Sequence, residues 1–358
     1  VGSVVQLVAA PPASGFSIFG ARIGATLRHL ASLDGQLSAA RLLRGSALDE
    51  RAVDASSENL QVVDAAGLLH VYEQALALTG RSDLGLCYGE AAGVTEYGPI
   101  GYAMLSAATD LEAVNIALTF QRLYYGTMAS MSLHHEAGQG LIRLRENLPS
   151  GAGRRFFIEM LLAGFLRFNH ALVGEQTQLQ ALRLAYPVPD YAERYRQLFQ
   201  CEVHFGQPHH ELLFDTGVLA RPLPNADPIT ARACEQVCGE LLERFDRGER
   251  FAARVRRVLL ADGCDRGLRQ VAASLGCHER TLHRRLQEEG TGFQQIKDDI
   301  QRDQVLVALQ DTSLSINEVA RRQGFDSPSN FRRAVRRWTG LAPLEWRRRL
   351  LGASGIGW

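Results

Sequence analysis

The chain carries no net charge, because 39 Lys plus Arg stand against 39 Asp plus Glu in 358 residues. A uniformly basic coat for nonspecific binding to nucleic acid or membrane is therefore excluded, and any polyanion site has to be local. The sequence also lacks an apolar run of the roughly eighteen residues that cross a bilayer. No Lys or Arg precedes Arg22, so the basic region of a secretory signal is absent from a start that reads as loose chain. The expected location is cytoplasmic, with no membrane partner. The six cysteines, at 87, 201, 234, 238, 264 and 277, form no C-x-x-C pair. Cys234 and Cys238 lie one helical turn apart, which permits a metal or redox pair, although small packed thiols are the reading adopted. His134-His135 and His209-His210 lack an i, i+4 partner set, and no metal or cofactor is expected. The phosphate loop, the G-x-S-x-G elbow and the H-E-x-x-H helix are all missing. The glycines of GEAAGVTEYGPIG follow no clear strand and are read as turns and helix ends. No catalytic residue is assigned.

Charge is unevenly placed. Asp265 to Leu350 holds 16 Arg plus Lys against 11 Asp plus Glu, leaving 23 against 28 for the remainder. A locally basic end suits a polyanion and leaves the acidic remainder a separate task. With 46% hydrophobic residues the chain can bury the cores of two domains.

Upstream, periodicity predicts helices at 21–33, 38–43, 64–78, 99–107, 111–123 and 154–172. A hairpin from MASMSLHHE and GLIRLREN turns at EAGQG, and LQALRLAYPVP and CEVHFG supply two further short strands around a helix at 191–199. These describe an α+β domain, mostly helical with a small sheet, over residues 1–228. The prolines of RPLPNADP lead into a linker helix, and DRGER is a hinge, so 229–249 is assigned as linker. Residues 250–350 form the basic, all-α end.

That end contains an internal repeat. QVAASLGCHERTLHRRLQEEG and EVARRQGFDSPSNFRRAVRRWTG align Val271 with Val319, Ala272 with Ala320 and Gly276 with Gly324, each 48 residues apart. After one extra residue, Leu282 aligns with Phe331, Arg284 with Arg333 and Leu286 with Val335. Each copy is a short apolar helix, a glycine turn and a second amphipathic helix with a basic side, which is the helix-turn-helix pattern. In the second copy Phe331, Val335 and Trp338 share an apolar face; Asp326 or Ser327 can cap the helix, and Pro328 suits its first turn. One helix from about Phe293 to Leu309 joins the copies and spans roughly 25 Å.

Residues 250–350 resemble the DNA-binding domain of the AraC/XylS family of bacterial transcription regulators, most closely in INEVARRQGFDSPSNFRRAVRRWTGLAPLEWRR. The glycine-aromatic turn, the basic recognition helix, the Trp-Thr-Gly end and Pro343 before a last helix carry the resemblance. Upstream, YGPIGYAMLSAATDLEAV and PLPNADP resemble the family's arabinose-binding-like sensor and dimerisation domain. The resemblance implies a homodimer that binds double-stranded DNA at the nucleoid, contacts RNA polymerase and responds to a small-molecule effector, acting as an activator.

It also implies roles for residues. In the first unit Arg280, His283 and Arg284 face the groove, arginine suiting the O6 and N7 acceptors of guanine; His283 could equally be a solvated surface residue. In the second, Ser329, Asn330 and Arg333 occupy corresponding positions, Asn330 being suited either to adenine or to capping backbone groups. Arg332, Arg336 and Arg337 are assigned to phosphates, and Trp338 and Trp346 to the core. Arg122, Tyr125 and Arg167 lie in apolar helices and could meet an anionic or polar effector, or the arginines could pair within the domain or snorkel to the surface. Two other readings are an enzyme with a nucleic-acid-binding C-terminal domain, and a constitutive architectural DNA-binding protein.

Overall fold

The computed structural model describes residues 17–46, 48, 61–136, 138–148, 151–174, 179–264, 266–309 and 314–353. The N-terminal stretch read as loose, and Ala137 in the hairpin turn, lie outside the described residues. Two units divide between Arg250 and Phe251.

In the N-terminal unit, strand β1 (Ser17–Phe19) pairs antiparallel with β2 (Val62–Asp64), with helices α1 (Gly20–Leu33) and α2 (Ala39–Leu42) between them. Next come α3 (Ala66–Thr79), α4 (Leu84–Ala91), a 3-10 turn at Val94–Tyr97, α5 (Pro99–Leu105), α6 (Asp110–Phe120) and the single turn α7 (Arg122–Tyr125). The predicted hairpin forms as β3 (Ala129–Glu136) and β4 (Gln139–Glu146). After α8 (Ala152–Val173) come β5 (Ala181–Arg183), α9 (Ala192–Phe199), β6 (Glu202–His204) and β7 (His210–Asp215), a 3-10 turn at Thr216–Ala220, and α10 (Pro228–Gly248). The five-stranded sheet runs β3-β4-β7-β5-β6, and only β5 and β6 pair in parallel.

The sheet's middle strand is absent from the sequence reading. His210 through Phe214 are all buried. A strand covered on both faces shows no alternation, so its periodicity signal vanishes.

Helix α8 is apolar nearly all round and serves as the spine of the unit, packed against α3 and α4. An 18-residue stretch within its 22 residues has a mean hydropathy of 1.4, so the helix is long and apolar enough to cross a membrane, yet 67% of that stretch is buried inside the fold. The approach of α4 to α8 is close: a Cβ on Gly89 would stand 2.5 Å from the Met160 carbonyl oxygen and 2.6 Å from the Gly164 nitrogen. Gly89 is therefore a helix-packing residue rather than a turn. Gly98, with φ +60, does mark the entry to α5, where Pro99 takes the first helical position.

Helix α10 starts at Asp227, whose side chain accepts from the Ile229 N–H, and continues through Asp246 and Arg247 to Gly248. It lies along α5, α6 and α7. Cys234 and Cys238 pack into the same cluster as Phe120 and Phe245, and burial pushes the Cys238 thiol up to about 12, so both are packed thiols. The segment outside regular structure is Glu249 and Arg250, shorter than the DRGER hinge read from sequence.

The C-terminal unit consists of α11 (Phe251–Asp262), α12 (Leu268–Ser274), α13 (Glu279–Glu288), α14 (Phe293–Ala308), α15 (Ile316–Arg322), α16 (Pro328–Thr339) and α17 (Pro343–Ala353). It has two cores. Val271, Ala272, Leu282 and Leu286 pack with Ile296 and Ile300 in the first; Val319, Ala320, Phe331 and Val335 pack with Val305 and Leu306 in the second. Helix α14 thus gives one half to each core. Arg256 on α11 donates to Asp303 on α14 at 2.6 Å in a buried pair. From α17, Arg347 donates to the Leu309 and Leu314 carbonyls at 2.9 and 2.8 Å, closing the end of α14.

Candidate nucleic-acid interface and sensor cavity

Each glycine of the repeat has a mechanical reason. Gly276 (φ +64) and Gly324 (φ +73) turn the chain in the left-handed region between the paired helices, with nothing near where a Cβ would stand. The requirement is conformational rather than steric. The turns hold α13 and α16 so that Leu282, Leu286, Phe331 and Val335 are wholly buried. The opposite faces have to be solvent-exposed.

On α13 that face carries Arg280, His283 and Arg284, all exposed. Arg284 donates to Glu288 at 2.6 Å, one turn along, while Arg280 forms no ion pair among the described residues. The neighbouring Arg285 guanidinium sits 5.2 Å from the Phe251 ring centre, and Glu289 accepts from the Phe251 and Ala252 N–H groups at 2.6 and 2.9 Å. The far end of α13 thereby caps the start of α11.

On α16, Ser327 is the N-cap, accepting from the Asn330 N–H at 3.2 Å, and Pro328 takes the first position. Asn330 itself turns its Oδ1 to Arg333, which donates at 2.6 Å. Ser329, Asn330, Arg332, Arg333, Arg336 and Arg337 are all exposed. Arg332 and Arg336 have no hydrogen-bonded or ionic side-chain partner among the described residues, and Arg337 lies 5.9 Å over the Trp338 ring. Trp338 and Trp346 pack against the second core. Guanidinium groups with their donors free, on a rigid helix, are the chemistry that phosphates and guanine edges require.

The N-terminal unit holds an apolar cavity of about 50 Å³ between α5, α6, α7, α8 and the β3-β4 hairpin. Tyr97, Tyr124, Tyr125, Met104, Met131 and Phe168 are among its walls, with Gln121 and Asn169 as the amide groups. Gln121 is committed to structure: its Oε1 accepts from the Met131 N–H at 2.6 Å and its amide donates to the Met131 carbonyl at 3.3 Å, fastening the end of α6 to β3. A second cavity of about 20 Å³ adjoins it, walled in part by Asp110, Asn169, Phe214 and Leu219.

Of the three residues expected near an effector, Tyr125 lines the larger cavity. Arg122 donates to Asp246 on α10, with Glu249 4.0 Å away, and Arg167 is exposed on α8. Neither arginine is among the cavity's lining residues. Asp110 and Asn169 escaped the sequence reading. Asp110 looks like an ordinary acidic residue in a helix's first turn. The available signal for Asn169 was an amide on a face otherwise formed by Phe165 and Leu172.

Two tandem helix-turn-helix units with arginine-bearing second helices, behind a separate α+β domain, define a DNA-binding regulator of transcription. Residues 37–223 match the model of the arabinose-binding domain of AraC transcription regulators, N-terminal, and residues 271–349 match a helix-turn-helix domain model. The chain belongs to the AraC family of transcription regulators. It is 39% identical over 274 residues to an ornithine utilization regulator of Pseudomonas aeruginosa, covering 76% of this chain and 80% of that one. An HTH-type transcriptional regulator of Mycobacterium tuberculosis is 30% identical over 318 residues, covering 87% of this chain and 91% of the other. The crystal structure of the transcriptional regulator CdpR from Pseudomonas aeruginosa is similar with a TM-score of 0.43 and 27% identity, over 78% of this chain and 90% of that one.

Proposed function

We propose that this regulator is a homodimer joined through its N-terminal domain, and that a small-molecule effector bound in that domain alters its action at a promoter. Arg280, His283, Arg284, Ser329, Asn330 and Arg333 read base edges. Arg332, Arg336 and Arg337 hold phosphates, and the N-terminal domain passes its signal to RNA polymerase as an activator would, without catalysing a reaction. Residues 1–228 sense and dimerise, 229–249 link, and 250–350 bind DNA in the cytoplasm. The observation that carries this reading is the pair of recognition helices, Leu282 and Leu286 of one and Phe331 and Val335 of the other wholly buried over separate cores, each helix with an exposed arginine side.

The test is duplex binding by the fragment from Arg250 onward, against the whole chain. The fragment binds alone, and its affinity falls steeply with salt as condensed counterions are released. Absence of binding at low salt overturns the interface.

A further inference from the structure

The two adjoining cavities of the N-terminal unit share walls at Val114, Ile142, Phe165 and Asn169. The larger is apolar. The smaller ends at Asp110, on the first turn of α6, where the residue is only 3% exposed. Asp110 Oδ1 and Asn169 Oδ1 are both buried and, among the described residues, accept no hydrogen bond. A buried acceptor left unpaired is costly, and exceptions in native folds call for an explanation. Here both unpaired acceptors belong to walls of one small chamber, and both are oxygens. The group they lack is a donor.

Resting on the reading that the N-terminal domain binds an effector, we infer that the joined cavities are the effector site and that they take a compact aliphatic ammonium compound: its hydrocarbon part lies in the apolar chamber, and its N–H groups donate to Asp110 and Asn169. Several observations set the class. A carboxylate at Asp110 repels a carboxylate or phosphate, and among the described residues no arginine, lysine or histidine lines either chamber to offset that. The charge that faces Asp110 from elsewhere is Arg221, itself exposed, and the Asp110 N–H is already committed to the Arg221 carbonyl at 3.2 Å. Burial raises the carboxyl above its ordinary range while Arg221 opposes that, and an ammonium group arriving in the chamber would favour the ionised form further. Chambers of about 50 and 20 Å³ admit a short chain rather than a drug-sized molecule. At a ceiling of about 1.5 kcal/mol per non-hydrogen atom, so few atoms can reach the micromolar range at best.

The experiment is thermal melting and calorimetric titration of the full chain with n-butylamine, 1-butanol and butyrate. Butylamine gives a saturable rise in melting temperature; butanol binds at least tenfold more weakly and butyrate does not bind. Asp110→Asn weakens butylamine at least tenfold and brings it level with butanol, and Asn169→Leu, which removes the second acceptor without touching the helix start, weakens it severalfold. Butyrate binding as well as butylamine, an absence of any saturable butylamine signal, or unchanged affinity in both variants overturns the assignment. DNA binding separates this from the broader reading. Butylamine bound in the cavity with unaltered promoter occupancy and transcription leaves the site standing and removes the effector role. A different small molecule that switches transcription while leaving the Asp110 variants fully responsive does the reverse.

Discussion

Arg122, on the single helical turn α7, donates both arms of its guanidinium to the carboxylate of Asp246, on the last turn of α10, the second contact measuring 3.1 Å. The same arginine stands 4.0 Å from the buried Glu249 and 5.9 Å from the Phe245 ring centre. Tyr124 and Tyr125, two and three residues further along α7, line the larger cavity. The helix that walls the cavity therefore also holds the final turn of α10, immediately before Glu249 and Arg250, where the chain leaves the N-terminal unit.

Loosening that contact should be local. With Arg122 partly exposed and Asp246 more so, the coupling energy from a double-mutant cycle of Arg122→Ala and Asp246→Ala is expected at about 0.2–1 kcal/mol. Amide exchange should accelerate in the last turn of α10, while the α4-α8 pair keeps its protection. Acceleration spread evenly over the whole unit would show that the pair supports the fold at large rather than this turn.

Readout and anchoring should separate on the two recognition helices. Arg284→Ala and Arg333→Ala should each relax preference at one or two base pairs by about 1–3 kcal/mol, since each guanidinium exchanges a partner on its own helix for a base edge. Arg336→Ala, which gives up no such partner, should weaken all sequences alike and lower the salt slope by about one. Selection from random duplexes with all three variants decides the matter; identical profiles would refute the division.

The C-terminal unit should fail in halves, because its two cores touch different halves of α14. Phe331→Ala opens the second core at a cost of about 3–5 kcal/mol, and Leu282→Ala opens the first at about 2–5 kcal/mol. Footprinting should then show loss at one end of the site with the other retained, the ends exchanged between the variants. A simultaneous loss at both ends in either variant would mean that α14 makes the unit cooperative throughout.

Stability should also depend on two buried carboxyl groups shifted in opposite directions. Glu159 is fully buried on α8, accepts from the Tyr191 and Tyr195 hydroxyls at 2.6 and 2.5 Å, and is pushed by burial up to about 7 against its ordinary 4.5. A raised carboxyl favours the folded state fully below its unfolded value, and that contribution is lost as pH climbs from 4.5 through about 7. Burial would raise Glu146 as well, but Arg154 and His210 hold it at about 2, so its contribution is present above 4.5 and is lost as pH falls towards 2. Urea unfolding across this range should show a decline from mildly acidic to mildly alkaline pH of at most about 3 kcal/mol from Glu159, and Glu159→Gln should flatten it. If the decline persists unchanged in Glu159→Gln, another group is responsible.

The sequence by itself determined the C-terminal unit. Its signals are local: apolar spacing at helical period, a glycine forced into positive φ between two helices, Ser327 and Pro328 at a helix start, and the whole pattern written twice, so that the buried faces and hence the exposed arginines follow from one helix at a time. Most upstream helices and the β3-β4 hairpin were legible for the same reason. Other features only the tertiary structure decided. The middle strand β7 is buried on both sides and shows no period. Gly89 is dictated by a backbone at α8 more than seventy residues away. Arg122 finds its partner 124 positions along the chain. Asp110 and Asn169 look like an ordinary helix start and a stray amide until α6, α8 and the sheet enclose them, leaving the Oδ1 of each unpaired among the described residues. Burial and unmet hydrogen bonding belong to the assembled walls, and a linear pattern holds no record of which residues those walls bring together.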